Sequence, residues 1–310
     1  VEGQDEDLAV ADLALLARAS RTSDDVDRLL DLAVGDGHLD LDFADQVHLV
    51  LVPTINLRVT ALASDSLNVR YRESLESLLT ERVLDHLEAV RANADIRVVV
   101  ITGAGKAFCT GGDLREFADG TVQALSKQAT SERPPMCKAV LAIHEMEKPV
   151  IAAVNGVAAG GGCNLALACD IRIASETARF AQVFTRRGLH PDWGGIYFLP
   201  RLVGYAKAAE LIMSGEIVDA AESLRLGLVN RIVPADELGT ATEELAGRIA
   251  RNAPLPIAFA KRGLQRFGHW DLAQALDYEV YVLEILRKSR DVSEGIAAFL
   301  EKRDPDFEGR

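Results

Sequence analysis

The stretch KPVIAAVNGVAAGGGCNLALACDIRIAS, residues 148–175, decides how this chain is read. Lys148–Gly162 reads as a buried strand ending in a turn, because β-branched and small apolar residues dominate it. Gly160, Gly161 and Gly162 then run into a small, apolar segment with helical character, and DIRIAS begins another strand. Glycines are costly to order and poor helix formers, so three in a row at a helix start mark a constraint on the backbone. Asn164, an uncharged amide, sits directly beside them.

A second glycine-rich junction of the same kind lies upstream, at GKAFCTGGDL (105–114). Neither junction matches the GxxxxGK[ST] or GxGxxG patterns, so phosphate cradles of those types are disfavoured. A backbone without Cβ atoms that opens a helix can present N–H groups to a negative oxygen. Two such turns facing one another would form an oxyanion hole. Close strand–helix packing explains the same glycines equally well at this point.

Outward from these junctions the chain alternates. HLDLDFAD (38–45) and QVHLVLVPTINLRVTALA (46–63) read as strands, 73–94 as an amphipathic helix, and IRVVVITGAG (96–105) as a buried strand. Helices are expected near 113–118, over 136–147, and at 205–215 and 218–226. Strands are expected in DIRIASETARFAQ (170–182) and LVNRIV (228–233), and long helices over 235–302. This is an α/β architecture with a helical C-terminal part. The expected division is an N-terminal extension over 1–45, a core over 46–235 and a helical region over 236–310.

The 310 residues carry a net charge of −13 and no basic footprint, which argues against a nucleic-acid partner. The four cysteines show no CxxC spacing and no pairing with His, so free thiols in a reducing, cytoplasmic setting are expected rather than zinc. The longest apolar region, Val150–Cys169, is interrupted by Asn155 and Asn164 and does not read as a membrane span. The chain opens on Val1 rather than Met, so its natural start, with any targeting segment, is expected upstream.

VVVITGAGKAFCTGGDLREF, the 148–175 stretch, GLHPDWGGIYFLPRLVG, AAESLRLGLVNRIVPADEL and FLEKRDPDFEG, in this order and spacing, resemble the crotonase (enoyl-CoA hydratase/isomerase) superfamily over roughly residues 50–310. The resemblance implies a ClpP/crotonase-like fold of repeated ββα units, with a C-terminal helical region that builds trimers or dimers of trimers. It implies an acyl-CoA thioester as substrate, with coenzyme A arriving as part of it and no separate cofactor or metal. The thioester enolate oxygen would be held by the backbone N–H groups of Gly112 and Gly161. Lys106, Ala107, Phe108, Asp113, Leu114, Phe184, Trp193, Phe299 and Lys302 are implied as substrate-binding residues. Arg115 is a further cation near the first turn.

The departures from the family pattern carry as much information. Typical hydratases of the family place one Glu directly after the Gly-Gly-Gly-Cys run and a second further on; here those positions hold Asn164 and Phe184. Paired carboxylates suit water addition, one activating water and the other delivering a proton. Glu176 matches neither position and reads as a solvated turn residue. The remaining acid in a matching block is Asp192, where some family members keep their working carboxylate. Asn after the glycines together with a Gly-Leu-x-Pro-Asp-x-Gly-Gly block is similar to the ring-epoxyphenylacetyl-CoA isomerase branch, in which the Asp shuttles a proton. Asp192 also reads as turn and helix-cap chemistry. The 4-chlorobenzoyl-CoA dehalogenase branch uses an Asp here too, but its Trp and His partners fall at Phe184 and Cys137, and His144 reads as a helix-surface residue. Arg186 and Arg187 precede the Asp192 turn; either both are exposed, or one pointing inward would depress the Asp192 pKa or bind an acidic substrate tail.

The expected activity is therefore an acyl-CoA isomerase with Asp192 as proton shuttle, Gly112 and Gly161 stabilising the enolate, and Asn164 positioning substrate or water. The alternatives are a hydratase or hydrolase that activates water through Asp192 and Asn164, and a non-catalytic acyl-CoA-binding protein.

Overall fold

The computed structural model describes residues 48–52, 57–61, 84, 86–103, 105–111 and 133–310, all within the compact unit Asp45–Arg310. The extension 1–45, the strand expected at 38–45, much of the helix expected at 73–94 and the turn bearing Gly112, Asp113, Leu114 and Arg115 lie outside the described residues.

Two sheets form the core. The larger takes β1 (His48–Val52), β2 (Leu57–Ala61), β3 (Val99–Gly103), β5 (Val150–Val154), β7 (Ile171–Ser175) and β10 (Arg231–Val233), in that spatial order. The smaller takes β4 (Ala107–Cys109), β6 (Val157–Ala159), β8 (Arg179–Ala181) and β9 (Ile217–Asp219). Strands β1 and β2 pair antiparallel, so the stretch 46–63, read as a strand, holds two, and β3, β5, β7 and β10 run parallel. Each consecutive pair, β3–β4, β5–β6 and β7–β8, sends its first strand to the large sheet and its second to the small one. Helix α1 (Pro135–His144) precedes β5, α2 (Gly161–Ala168) follows β6, and α3 (Gly195–Ser214) follows β8. This is the repeated ββα pattern of the crotonase fold.

The reading of 148–162 as one strand needs correction: Asn155 and Gly156 split it into β5 and β6, in different sheets. Asn155 makes the corner possible. Its Oδ1 accepts from the Gly103 N–H at 3.0 Å, and its Nδ2 donates to the carbonyls of Gly105 at 3.0 Å and Ala107 at 3.2 Å. One side chain thereby satisfies three backbone groups of the preceding corner, which would otherwise be costly to bury. A Cβ on Gly156 would lie 2.1 Å from the Lys106 carbonyl oxygen, so the two corners touch backbone to backbone.

The large sheet is covered on both faces, which is why its parallel strands read as continuous apolar runs. Val99, Ile101, Val150, Ala152 and Val154 face the main core with α1, α2 and α3. Val98, Val100, Ile151, Ala153 and Ile173 face the other way, onto Leu238 and Ala246 of α5 (Leu238–Ala250). Helix α4 (Ala220–Leu226) is capped by Asp219, whose carboxylate accepts from the Glu222 N–H at 2.8 Å. Helices α6 (Pro254–Leu264), α7 (Leu272–Leu286) and α8 (Arg290–Glu301) complete the C-terminal part, with a capping box at Asp271 and Gln274 starting α7. Lys261 pins α6 to the core. It is buried, its Nζ lies 2.6 Å from Asp170 Oδ2, and it donates to the carbonyls of Ile143 and Lys148. No helix among the described residues is long and apolar enough to cross a membrane.

The corner contact gives a direct test. Gly156→Ala forces backbone apart and is expected to destabilise the fold by about 3 kcal/mol, at the upper end of ordinary overpacking. Gly239→Ala, in α5 with open space around its Cβ, is expected to be neutral or stabilising. Urea unfolding of the two variants beside wild type reads both.

Candidate active site

The three glycines of the 160–162 run answer to three different neighbours. Gly160, the residue before α2, has φ +55°, and a Cβ there would meet the Phe184 ring at 3.7 Å. A Cβ on Gly161 would press on the Trp193 indole at 3.0 Å, and one on Gly162 would fall 2.1 Å from the Cys109 carbonyl oxygen. Close packing thus accounts for all three glycines, and the helix start is buried with them. Gly161 opens α2, and the first N–H groups of a helix have no intrahelical partner. The upstream junction reaches the same place: a Cβ on Gly111, at φ +85°, would lie 3.3 Å from the Gly161 nitrogen and 3.2 Å from the Ala159 oxygen. The two glycine turns therefore face one another.

Asp192 stands on the segment that enters α3. Its carbonyl accepts from the Gly195 N–H at 2.9 Å, closing a turn whose central residues, Trp193 and Gly194, have φ values of 47° and 78°. This is a type I′ geometry, which favours Gly, Asn or Asp; a Trp in it is held at a cost of about 1–3 kcal/mol. The buried indole of Trp193 covers Gly161, as above. Burial pushes the Asp192 carboxyl up from 3.8 to about 6, against opposing effects from its own backbone N–H and from His190. One carboxyl oxygen, Oδ1, is buried with no hydrogen-bond partner among the described residues.

Asp192, Trp193, Phe184 and Gly161 are thus gathered at one place, while Gly112, Asp113 and Leu114 fall outside the described residues. Other expectations need correction. Asn164 does not face substrate: it is 0% exposed, its Nδ2 donates to the Asp192 carbonyl at 2.8 Å, and its Oδ1 accepts from Gln182 Nε2 at 2.7 Å. The Phe108 side chain is 0% exposed in the core, so only its backbone could meet a ligand, whereas Lys106 is exposed beside it. Of the two arrangements expected for Arg186 and Arg187, the exposed one holds: they turn to the carbonyls of Ser214 and Val183, not to Asp192. His144 is not a free helix-surface residue; its ring packs edge-on against Tyr197 and Phe198. Glu176 is exposed in a turn, as expected. Phe299 and Lys302 lie at the end of α8, with Phe299 82% exposed, and among the described residues no hydrogen bond or ion pair joins them to the Asp192 cluster. The buried thiols of Cys163 and Cys169 are held at about 12, too high to act as nucleophiles near neutral pH.

Gln182 was missed by sequence reading. Its signal was available: a polar residue between Ala181 and Val183, at the end of a short apolar strand. It is 3% exposed and also donates to the Cys163 sulfur at 3.4 Å.

The family model for enoyl-CoA hydratase/isomerase matches residues 66–310. The chain belongs to that family, within the crotonase superfamily. A 2,3-dehydroadipyl-CoA hydratase from Escherichia coli is 37% identical over 239 residues, covering 77% of this chain and 91% of that protein. A crotonyl-CoA hydratase from Syntrophomonas wolfei is 37% identical over 227 residues, covering 73% and 85%. The crystal structure of an enoyl-CoA hydratase from Bacillus anthracis superposes with a TM-score of 0.70 at 37% identity, over 76% of this chain and 90% of that one.

The raised Asp192 pKa has a consequence for stability in this enoyl-CoA hydratase/isomerase family member. A carboxyl whose folded pKa lies above its unfolded value costs stability once ionised. Asp192→Asn is therefore expected to melt higher than wild type at pH 8. The gap should close as pH falls through about 6 and vanish below 3.8. Thermal melts of both proteins across pH 3.5–8 check the sign.

Proposed function

We propose that this family member is an acyl-CoA double-bond isomerase in which Asp192 carries a proton from one carbon to another. The carrying observation is that Asp192 supplies the single carboxyl of the site among the described residues. The two positions that hold acids in typical hydratases of the family are Asn164, sealed inside the protein, and Phe184, packed on Gly160. Removing a proton from the α-carbon of a 3-enoyl-CoA leaves charge on the thioester oxygen, where the Gly161 N–H, with that of Gly112, would hold it. Each such donor is typically worth about 3 kcal/mol. Asp192 then returns the proton to the γ-carbon and the double bond comes to rest at the 2-position. One base suffices, and a carboxyl near 6 is ionised at neutral pH yet basic enough for the transfer.

The names of the similar proteins favour a second reading, a hydratase in which Asp192 activates water. Offering 3-enoyl-CoA and 2-enoyl-CoA separates the readings. Double-bond migration without water addition is the expected result; hydration of 2-enoyl-CoA alone supports the second reading, and binding without turnover points to a non-catalytic acyl-CoA-binding protein. Asp192→Asn is expected to lose at least about 100-fold in kcat, the usual share of a general base. Wild-type kcat/KM should fall as pH drops through about 6. Full isomerase activity in Asp192→Asn would overturn the assignment.

A homotrimer, alone or paired into a hexamer, fits the C-terminal helices, which expose Phe267, Leu272, Val280, Phe299 and Leu300. Light scattering on the purified chain is expected to give three or six copies; a monomer at micromolar concentration would rule this out.

A further inference from the structure

We propose that the Asn164 amide, oriented by Gln182, is the positioning device that aims the Asp192 carboxyl, and that this same device excludes an acid from position 164. The proposal rests on Asp192 being the working carboxyl.

The polarity of the chain of bonds is fixed from one end. The Asp192 main-chain carbonyl only accepts, so Asn164 must turn its NH2 toward it, at 2.8 Å. That leaves Asn164 Oδ1 facing Gln182, which must therefore donate, at 2.7 Å. Gln182 Oε1 is left buried with no partner among the described residues. A buried, unpaired amide oxygen is costly, so the orientation is held by what it achieves on the other side. Both side chains are too deeply buried to touch a substrate, at 0% and 3% exposure. Their effect passes through the Asp192 backbone.

That backbone needs holding. The turn after Asp192 keeps Trp193 at φ 47°, and its closing carbonyl accepts from the Gly195 N–H and from Asn164 Nδ2. Gly195 packs directly on the amide, because a Cβ there would lie 2.4 Å from Asn164 Nδ2. An ionised acid at 164 has no proton to give. It would accept from Gln182 and set an oxygen against the Asp192 carbonyl, and the turn would lose the bond that fixes it. An amide is both donor and acceptor, and only that combination fits between Gln182 and Asp192.

The test uses the full chain with Gln182→Leu and Asn164→Asp, the second nearly isosteric and present in case the first does not fold. Two readouts are taken: kcat and KM on whichever acyl-CoA the wild type converts, in both variants, and the melting-temperature gain at pH 8 on adding Asp192→Asn to the Gln182→Leu background, where no new charge is introduced. In both variants kcat is expected to fall at least about tenfold, as for a misaimed catalytic group, with KM within about twofold. The Asp192→Asn gain in Gln182→Leu should shrink, because a released carboxyl regains water. Wild-type kcat in either folded variant, a loss confined to KM, or an undiminished Asp192→Asn gain in Gln182→Leu would each overturn the proposal. Should wild type show no isomerase activity, the proposed function fails by itself, and the melting comparison still decides the relay.

Discussion

Each ββ unit has to leave the large sheet and enter the small one across two or three residues, and each new corner must lie on the backbone of the one before. The rest of the architecture depends on that contact. Gly156 sits where its Cβ would overlap the Lys106 carbonyl, and Gly103 where its Cβ would overlap that of Ala107. Asn155 replaces the hydrogen bonds that the turning backbone gives up. Because the corners are stacked so closely, β4 and β6 run side by side in the small sheet, and the turns beyond them arrive together. Gly111 then meets Gly161 across a gap too small for a side chain. The meeting of the two glycine turns is thus a geometric result of the corners, reached before any chemistry is considered.

This hierarchy explains which parts of the fold were legible. Strands β3, β5 and β7 are buried on both faces, so they show in the sequence as unbroken apolar runs. Strands β4, β6 and β9 span only three residues each, too few to display a period, and β6 was absorbed into the run before it, whereas β8, equally short, was read within 170–182. The partners of Asn155 lie in the preceding repeat, some fifty residues back, so nothing local in the sequence announces its role. Helix α3 begins within the Asp192 motif and reaches the stretch read as helical only after a non-helical Gly204.

The site shows the same division. Gly161, Phe184, Asp192 and Trp193 were identified through the family resemblance and converge in space. Asn164 was read as positioning substrate or water because it fills the position where typical hydratases of the family keep an acid. All eight residues of α2 are buried, however, so the helix has no polar side and periodicity carries no information on where Asn164 points. Its destination depends on Gln182 and on the Asp192 turn, both supplied by later segments of the chain.

The neutral amide has an electrostatic side as well as a geometric one. Asp192 owes its raised pKa to burial, and its position near 6 leaves it ionised at neutral pH. A second carboxylate bonded against the same residue would disfavour that charge further, since like charges in close quarters cannot both ionise freely. Two acids are tolerable where one is meant to be protonated and to deliver its proton to a product. A site that moves one proton between two carbons needs its sole base ionised at the start of each turnover. An amide at 164 bonds to the turn without adding charge, so on the proposed isomerase reading one side chain would serve both the aim of Asp192 and its ionisation at neutral pH.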